Sequence, residues 1–256
     1  MGFINNIFNA ALYKPLFNVL IGLYYYIPGR DFGIAVIVLT ILIKLLLYPL
    51  GTWSIKSQKA LSEIQPKLKE IQEKFKEDKE KQTKAIMDLY KQAKVNPFSG
   101  CLPILIQFPI LIALYRLFWH GLNPAQFSSL LYGFMPKLAS LNTYFLGIFD
   151  LSKSGYMEAE GVRHYLWFNI ILIVLTGAVQ FLQTKMLLPK ASKNKKQKDG
   201  LSDVMQKQMQ YVMPVFIILI LFSLPSAVAL YWLTSSLFSI IQQKIVFKGK
   251  LYGFNK

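Results

Sequence analysis

A lysine stands inside the apolar run FGIAVIVLTILIKLLLYPLGTW (32–53), where from Gly33 to Leu47 the only other polar side chain is Thr40. At ~1.5 Å per residue this run extends about 33 Å, enough to cross the hydrocarbon core of a bilayer. A charge near the middle of such a span costs roughly 3 kcal/mol on insertion scales. Lys44 therefore needs a use. Thr40 lies one helical turn before it on the same face, which gives a small polar patch. One reading lets the lysine stem snorkel to the interface, since Trp53, an interface-type residue, lies about 13 Å further along a helix. The other holds the ammonium in a wet cavity within the membrane. The second is preferred, because the long apolar runs contain no acid to pair with Lys44. An unpaired cation among apolar helices calls for water, and for negative charge brought by a partner. Gln107, Gln180, Gln183, Ser235 and Ser236 add uncharged polar groups to the apolar runs. Each alone serves as interhelical glue, worth about 0.6 kcal/mol.

The elements that must position these residues are helices in a membrane. The chain has 256 residues, is 54% hydrophobic and only 16% charged, with a net charge of +16. That composition is too apolar for a soluble domain. The charge is distributed in alternating blocks: strongly basic over 54–96, 185–210 and 244–256, and neutral over 120–163. The positive-inside rule places the basic blocks in the cytoplasm. The expected fold is an all-α integral membrane protein with five transmembrane helices.

In chain order, residues 1–31 read as an amphipathic interfacial segment with tyrosines 24–26 at headgroup level, a full span being the alternative. Transmembrane helix 1 takes 32–53. Residues 54–96 read as a cytoplasmic coiled-coil hairpin: Leu61, Ile64, Leu68, Ile71 and Phe75 form a heptad seam, Glu77 to Lys81 a turn, and Ile86, Leu89 and Ala93 a second stripe. With eleven lysines against seven acids, this hairpin suits either an anionic lipid surface or ribosomal RNA. Transmembrane helix 2 takes 97–119, an external amphipathic loop 120–163, helix 3 164–187 and a basic cytoplasmic linker 188–207. The remaining apolar tract is too long for one span and breaks at Leu224-Pro225, giving helix 4 at 208–224 and helix 5 at 225–243. A basic cytoplasmic tail follows at 244–256.

Enzymatic signatures are missing. The chain has no Gly-rich phosphate loop, H-E-x-x-H or G-x-S-x-G, and the only cysteine is Cys101. His120 and His164 have no nucleophile nearby in sequence. An enzyme is not expected, and neither is a cofactor or a metal site. A small transporter binding an anionic solute at Lys44 is the rival, but the spans show no internal symmetry and the hairpin has no role there.

The run Asn96-Pro97-Phe98-Ser99-Gly100-Cys101-Leu102-Pro103, followed by Gln107, Pro109 and Ala113-Leu114-Tyr115, closely resembles the YidC-type membrane protein insertases, a family with mitochondrial and chloroplast relatives. The resemblance continues through Tyr48-Pro49-Leu50, Met213-Pro214 and Ala229-Leu230-Tyr231-Trp232 to Ile241-Gln242-Gln243. It implies five spans around a hydrophilic groove, open to the cytoplasm and to lipid and closed to the outside. In that groove a positive residue attracts acidic client residues. Here that residue is Lys44, where the family usually has arginine. Gln107, Gln180 or Gln183, and Trp232 match polar and aromatic groove positions. The partners implied are nascent membrane proteins, the lipid bilayer, the ribosome and the general secretion channel, with no DNA. The location implied is the bacterial cytoplasmic membrane, with an external N-terminus and a cytoplasmic C-terminus.

Overall fold

A computed structural model of the chain describes residues 2–96, 102–119, 130–136, 141–159, 162–187 and 208–253. The expected linker 188–207 and the Pro97 to Cys101 part of the family run lie outside the described residues. The protein is mostly helical. Helix α1 (Gly2–Phe8), a π turn (Asn9–Tyr13) and α2 (Lys14–Tyr26) form one continuous helical stretch. Pro15 cannot donate a backbone hydrogen bond, and its ring crowds the carbonyl four residues back. The π turn relieves that crowding: the Lys14 N–H donates to the Asn9 carbonyl, five residues back. The same device precedes Pro214, where a π turn at Gln208–Val212 leads into α8 (Met213–Leu221).

Helix α3 spans Phe32–Leu46 and starts at an Asp31 cap. One carboxylate oxygen of Asp31 accepts from the Ile34 N–H at 3.0 Å and the other from the Leu146 N–H at 2.7 Å. Asp31 thus satisfies a helix-end donor and ties the outlying 141–166 region to the helix. Gly33 permits that approach, since the Phe145 ring fills the space a Cβ would take. Helix α3 does not run straight on to Trp53 as the apolar run suggests. It ends at Leu46, and α4 (Tyr48–Lys74) leaves it at 69°. Pro49 explains the break, because it cannot donate to the Leu45 carbonyl.

Helix α4 turns back at Phe75–Asp78 into α5 (Lys79–Gln92). Leu68 is buried, while Leu61, Ile64, Ile71, Phe75, Ile86, Leu89 and Ala93 are half-buried along the hairpin. Asp78 caps α5, accepting from the Lys81 N–H at 3.0 Å and pairing with the Lys81 ammonium at 2.9 Å. Those two bonds hold its carboxyl below the usual carboxylate range.

Helix α6 spans Leu102–Trp119. The region read as a loop lying along the surface contains two short antiparallel hairpins, β1 (Tyr144–Phe145) with β2 (Phe149–Asp150) and β3 (Tyr156–Ala159) with β4 (Val162–Tyr165). These short strands sit beside a mostly helical chain, consistent with the expected all-α membrane protein. Helix α7 spans Trp167–Leu187, and α9 runs from Ser226 to Gly253, carrying helix through most of the stretch read as a tail. Among the described residues, two helices are long and apolar enough to cross a membrane by themselves, Asn5–Tyr26 and Trp167–Leu187. The bent pair α3–α4 makes a third, and Leu105–Trp119 and Gln210–Leu221 are shorter apolar helices.

Helix α9 is the hub, touching α3, α4, α6, α7 and α8. Between helices in lipid there is no hydrophobic driving force, so close packing and hydrogen bonds must hold the bundle. The contacts fit that rule. Ala35, Ala113, Ala227 and Ala229 are fully buried, and Ile218 packs into the space left by Gly177. Large apolar side chains such as Leu46, Leu105, Val174 and Leu219 point outward instead, as lipid contact requires.

One end of the bundle is closed by the 150–154 turn. The first amides of α9 have no partners within the helix. Ser226 N–H donates to the Lys153 carbonyl at 2.8 Å and Ala227 N–H to the Leu151 carbonyl at 3.0 Å, with the Leu151 side chain fully buried. From α7, the buried Asn169 amide donates to the Asp150 and Ser154 carbonyls at 2.9 and 3.1 Å. Asn169→Leu keeps the branching at Cγ but removes those donors and adds bulk at a buried site, so it is expected to destabilise the fold by about 1–3 kcal/mol. Thermal unfolding in mild detergent checks this, and an unchanged midpoint would show that the turn does not depend on Asn169.

Candidate functional site: a polar face on the last helix

Along α9, Tyr231, Trp232, Ser235, Ser236, Ser239, Gln242 and Gln243 recur at three- and four-residue intervals, which places them on one face. Each neighbouring helix sends a polar group to that face. From α6, the Gln107 amide donates to the Tyr231 hydroxyl at 2.6 Å. From α7, Gln180 Oε1 accepts from the Trp232 indole N–H at 3.1 Å and from the Ser236 hydroxyl at 2.9 Å. From α3, the Lys44 ammonium donates to the Ser239 hydroxyl at 3.3 Å, and Ser239 donates in turn to the Ser235 carbonyl at 2.9 Å. From the start of α4, the Tyr48 carbonyl and Thr52 hydroxyl accept from the Gln242 amide at 2.9 and 3.0 Å, with Gln242 resting on Gly51.

Lys44 is half-buried, stands in the last turn of α3, and has no carboxylate partner among the described residues. Its amine meets only a serine, so an incoming anion would find the charge unspent. Ser235 and Ser236 are buried on the shared face. Gln183 lies one turn beyond Gln180, and its buried Oε1 has no hydrogen-bond partner among the described residues; Gln243 Oε1 is in the same state. Buried acceptors left open cost about 1–3 kcal/mol each, so both can take a hydrogen bond from water or another donor. Thr40 does not join this group. It is fully buried and donates to the Val36 carbonyl of its own helix at 2.6 Å, so its polarity is spent locally.

Of the sequence candidates, the structure brings Lys44, Gln107, Gln180, Trp232, Ser235 and Ser236 to the α9 face directly. Ser239, Tyr231 and Gln242 complete it. The signal for them was present: Ser239 continues the four-residue step from Ser235, and Gln242 and Gln243 the next turn. No group of three or more metal-ligating side chains occurs among the described residues.

Apolar helices with outward-facing hydrophobics and a hub helix that turns polar groups to four neighbours define a polytopic helical membrane protein. A sequence model of the family described as 60Kd inner membrane protein matches residues 22–252. The membrane protein insertase YidC of Fusobacterium nucleatum is 38% identical over 219 residues, covering 85% of this chain and 87% of the relative. The YidC of Oceanobacillus iheyensis is 34% identical over 225 residues, 86% of this chain and 76% of the relative. That of Syntrophobacter fumaroxidans is 36% identical over 230 residues, but this chain spans only 36% of its length. The chain therefore belongs to the 60Kd inner membrane protein family and is a bacterial inner-membrane protein.

Proposed function

We propose that this protein is a membrane protein insertase and folding chaperone, acting on nascent membrane proteins without enzymatic chemistry. The observation that carries this reading is Lys44, bonded to Ser239 on a buried polar face and offered no acid by the described residues. A polar segment crossing ~30 Å of hydrocarbon meets a penalty for every unsatisfied group. A groove along the α9 face, open to the cytoplasm and to lipid, hydrates the segment for part of that distance. Lys44 offsets the desolvation of client carboxylates, and the client's apolar flank slides sideways into lipid. Partitioning of the client's own span supplies the free energy.

Five spans build this groove: α3, α6, α7, α8 and the first part of α9. The charge alternation puts the basic hairpin, the linker and the C-terminus in the cytoplasm and the 141–166 hairpins outside. The basic hairpin suits the phosphates of ribosomal RNA. The N-terminal helix lies in the outer interface despite its spanning length. At its start, Asn5 accepts from Arg116 at 3.0 Å and Phe8 lies under the same guanidinium. Near its other end, Tyr24 packs on Phe32, and Phe32 packs on Phe118. Two points sixteen residues apart on this helix, Phe8 directly and Tyr24 through Phe32, thus lie near the same turn of α6, which supports a path across the bundle rather than beside it.

A photo-crosslinking amino acid in place of Ser236 tests the groove against a lipid-facing control at Leu219. The Ser236 position is expected to capture the membrane segment of a ribosome-stalled client in higher yield. Equal or lower capture there than at Leu219 would exclude the polar face as the client path.

A further inference from the structure

The charges at the loop end of the bundle are not used by the insertion mechanism. Asn6, Asn9 and Tyr13 follow one another at one-turn spacing and, with the adjoining Ala10 and Lys14 and with Leu130, line a cavity of about 370 Å³. Its wall is fixed by Asn18, which donates to the Lys14 and Leu130 carbonyls at 2.8 and 2.9 Å and accepts from the Tyr132 N–H at 2.7 Å. The Lys14 ammonium lies 5.2 Å over the Tyr132 ring. Arg116 stands beside this wall, over the Phe8 ring and within electrostatic reach of the Tyr13 hydroxyl. Among the described residues, neither Lys14 nor Arg116 has a carboxylate partner.

Two unpaired cations with two side-chain amides form a donor set for a phosphate. The cavity is large enough for a phosphodiester with a polar headgroup attached. Ile7 and Trp119, on the elements that carry these residues, are about half exposed, as acyl-chain neighbours would be. We infer that Lys14, Arg116, Asn6 and Asn9 bind the phosphodiester of an anionic phospholipid headgroup in the outer leaflet. This rests on the interfacial placement of the N-terminal helix. A headgroup held there pins the helix across the bundle and fixes the lipid beside α6.

The test titrates the detergent-solubilised full chain with short-chain phosphatidylglycerol, short-chain phosphatidylcholine and inorganic phosphate. Wild type is expected to show saturable binding of phosphatidylglycerol, tighter than of the other two. Each surface cation contributes about a fivefold factor. Lys14→Gln should therefore weaken binding about fivefold and the double variant with Arg116→Gln about 25-fold, while Lys14→Arg and the distant Lys79→Gln keep it. No preference for phosphatidylglycerol over phosphatidylcholine in wild type, where folding of variants is not at issue, would overturn the site. Binding of inorganic phosphate as tight as that of the lipid would overturn the headgroup assignment. The placement is checked separately: in a Cys101→Ser background, Gly2→Cys should react with an impermeant thiol reagent from outside. Labelling from the cytoplasm would overturn the interfacial reading, whereas outside labelling without lipid selectivity would overturn the headgroup site alone.

Discussion

Lys44→Ala is expected to reduce insertion of clients with acidic translocated segments by tenfold or more, while clients with neutral segments insert nearly as before. A tenfold effect needs only about 1.4 kcal/mol. A cation and a carboxylate ~4 Å apart at an effective dielectric of ~20 attract by about 4 kcal/mol, so the attraction exceeds that need even after desolvation takes a large share. Lys44→Arg should retain insertion, because charge and reach survive. Stability should not fall in Lys44→Ala, since the variant removes a costly charge and breaks a single hydrogen bond, to Ser239. A protease-protection assay comparing acidic and neutral clients reads the difference. Equal insertion of both classes by Lys44→Ala would make the lysine a bystander and leave hydration by Gln107, Gln180 and the serines to do the work.

The second large effect concerns the hairpin. Replacing residues 60–93 with a short linker should leave a folded, membrane-inserted protein with strongly impaired client delivery. The structure explains why folding should survive. In α5 no residue is fully buried, and α5 packs on α4. The contacts of α4 with the groove face come from its start, where Tyr48 and Thr52 accept from Gln242 and Ile55 is buried. Those residues precede the deletion. Size-exclusion chromatography in mild detergent separates the outcomes: a monodisperse peak with poor insertion is expected, and aggregation would make the hairpin part of the folding core.

Much of this was legible because it rests on local chemistry. The seam from Leu61 to Phe75 and a turn after it follow from spacing and charge, although the turn lies at Phe75–Asp78 and Lys79 to Lys81 already belong to α5. The Leu224-Pro225 break stands between α8 and α9 as proline geometry requires. The bend at Leu47 was missed although Pro49 was in view, because an unbroken apolar run outweighs one proline when only hydropathy is counted. The hairpins at 144–165 gave no usable pattern, since strands of two and four residues are too short for alternation to register. Helix through Gly253 was hidden by Lys244 and Lys248, which read as a tail but prolong a helix whose membrane part is already nucleated. Thr40 looked like a partner for Lys44 because both share a face. Its hydroxyl turned to the Val36 carbonyl instead, a choice that spacing cannot reveal. Gln107 and Tyr231 are 124 residues apart, and only the tertiary fold brings them together.

The most direct measurement uses the purified chain alone in liposomes with a newly made single-span client, scored by protection of the client from external protease. The account predicts protection well above that in empty liposomes, without nucleotide or a second protein. Protection no greater than in empty liposomes would contradict it.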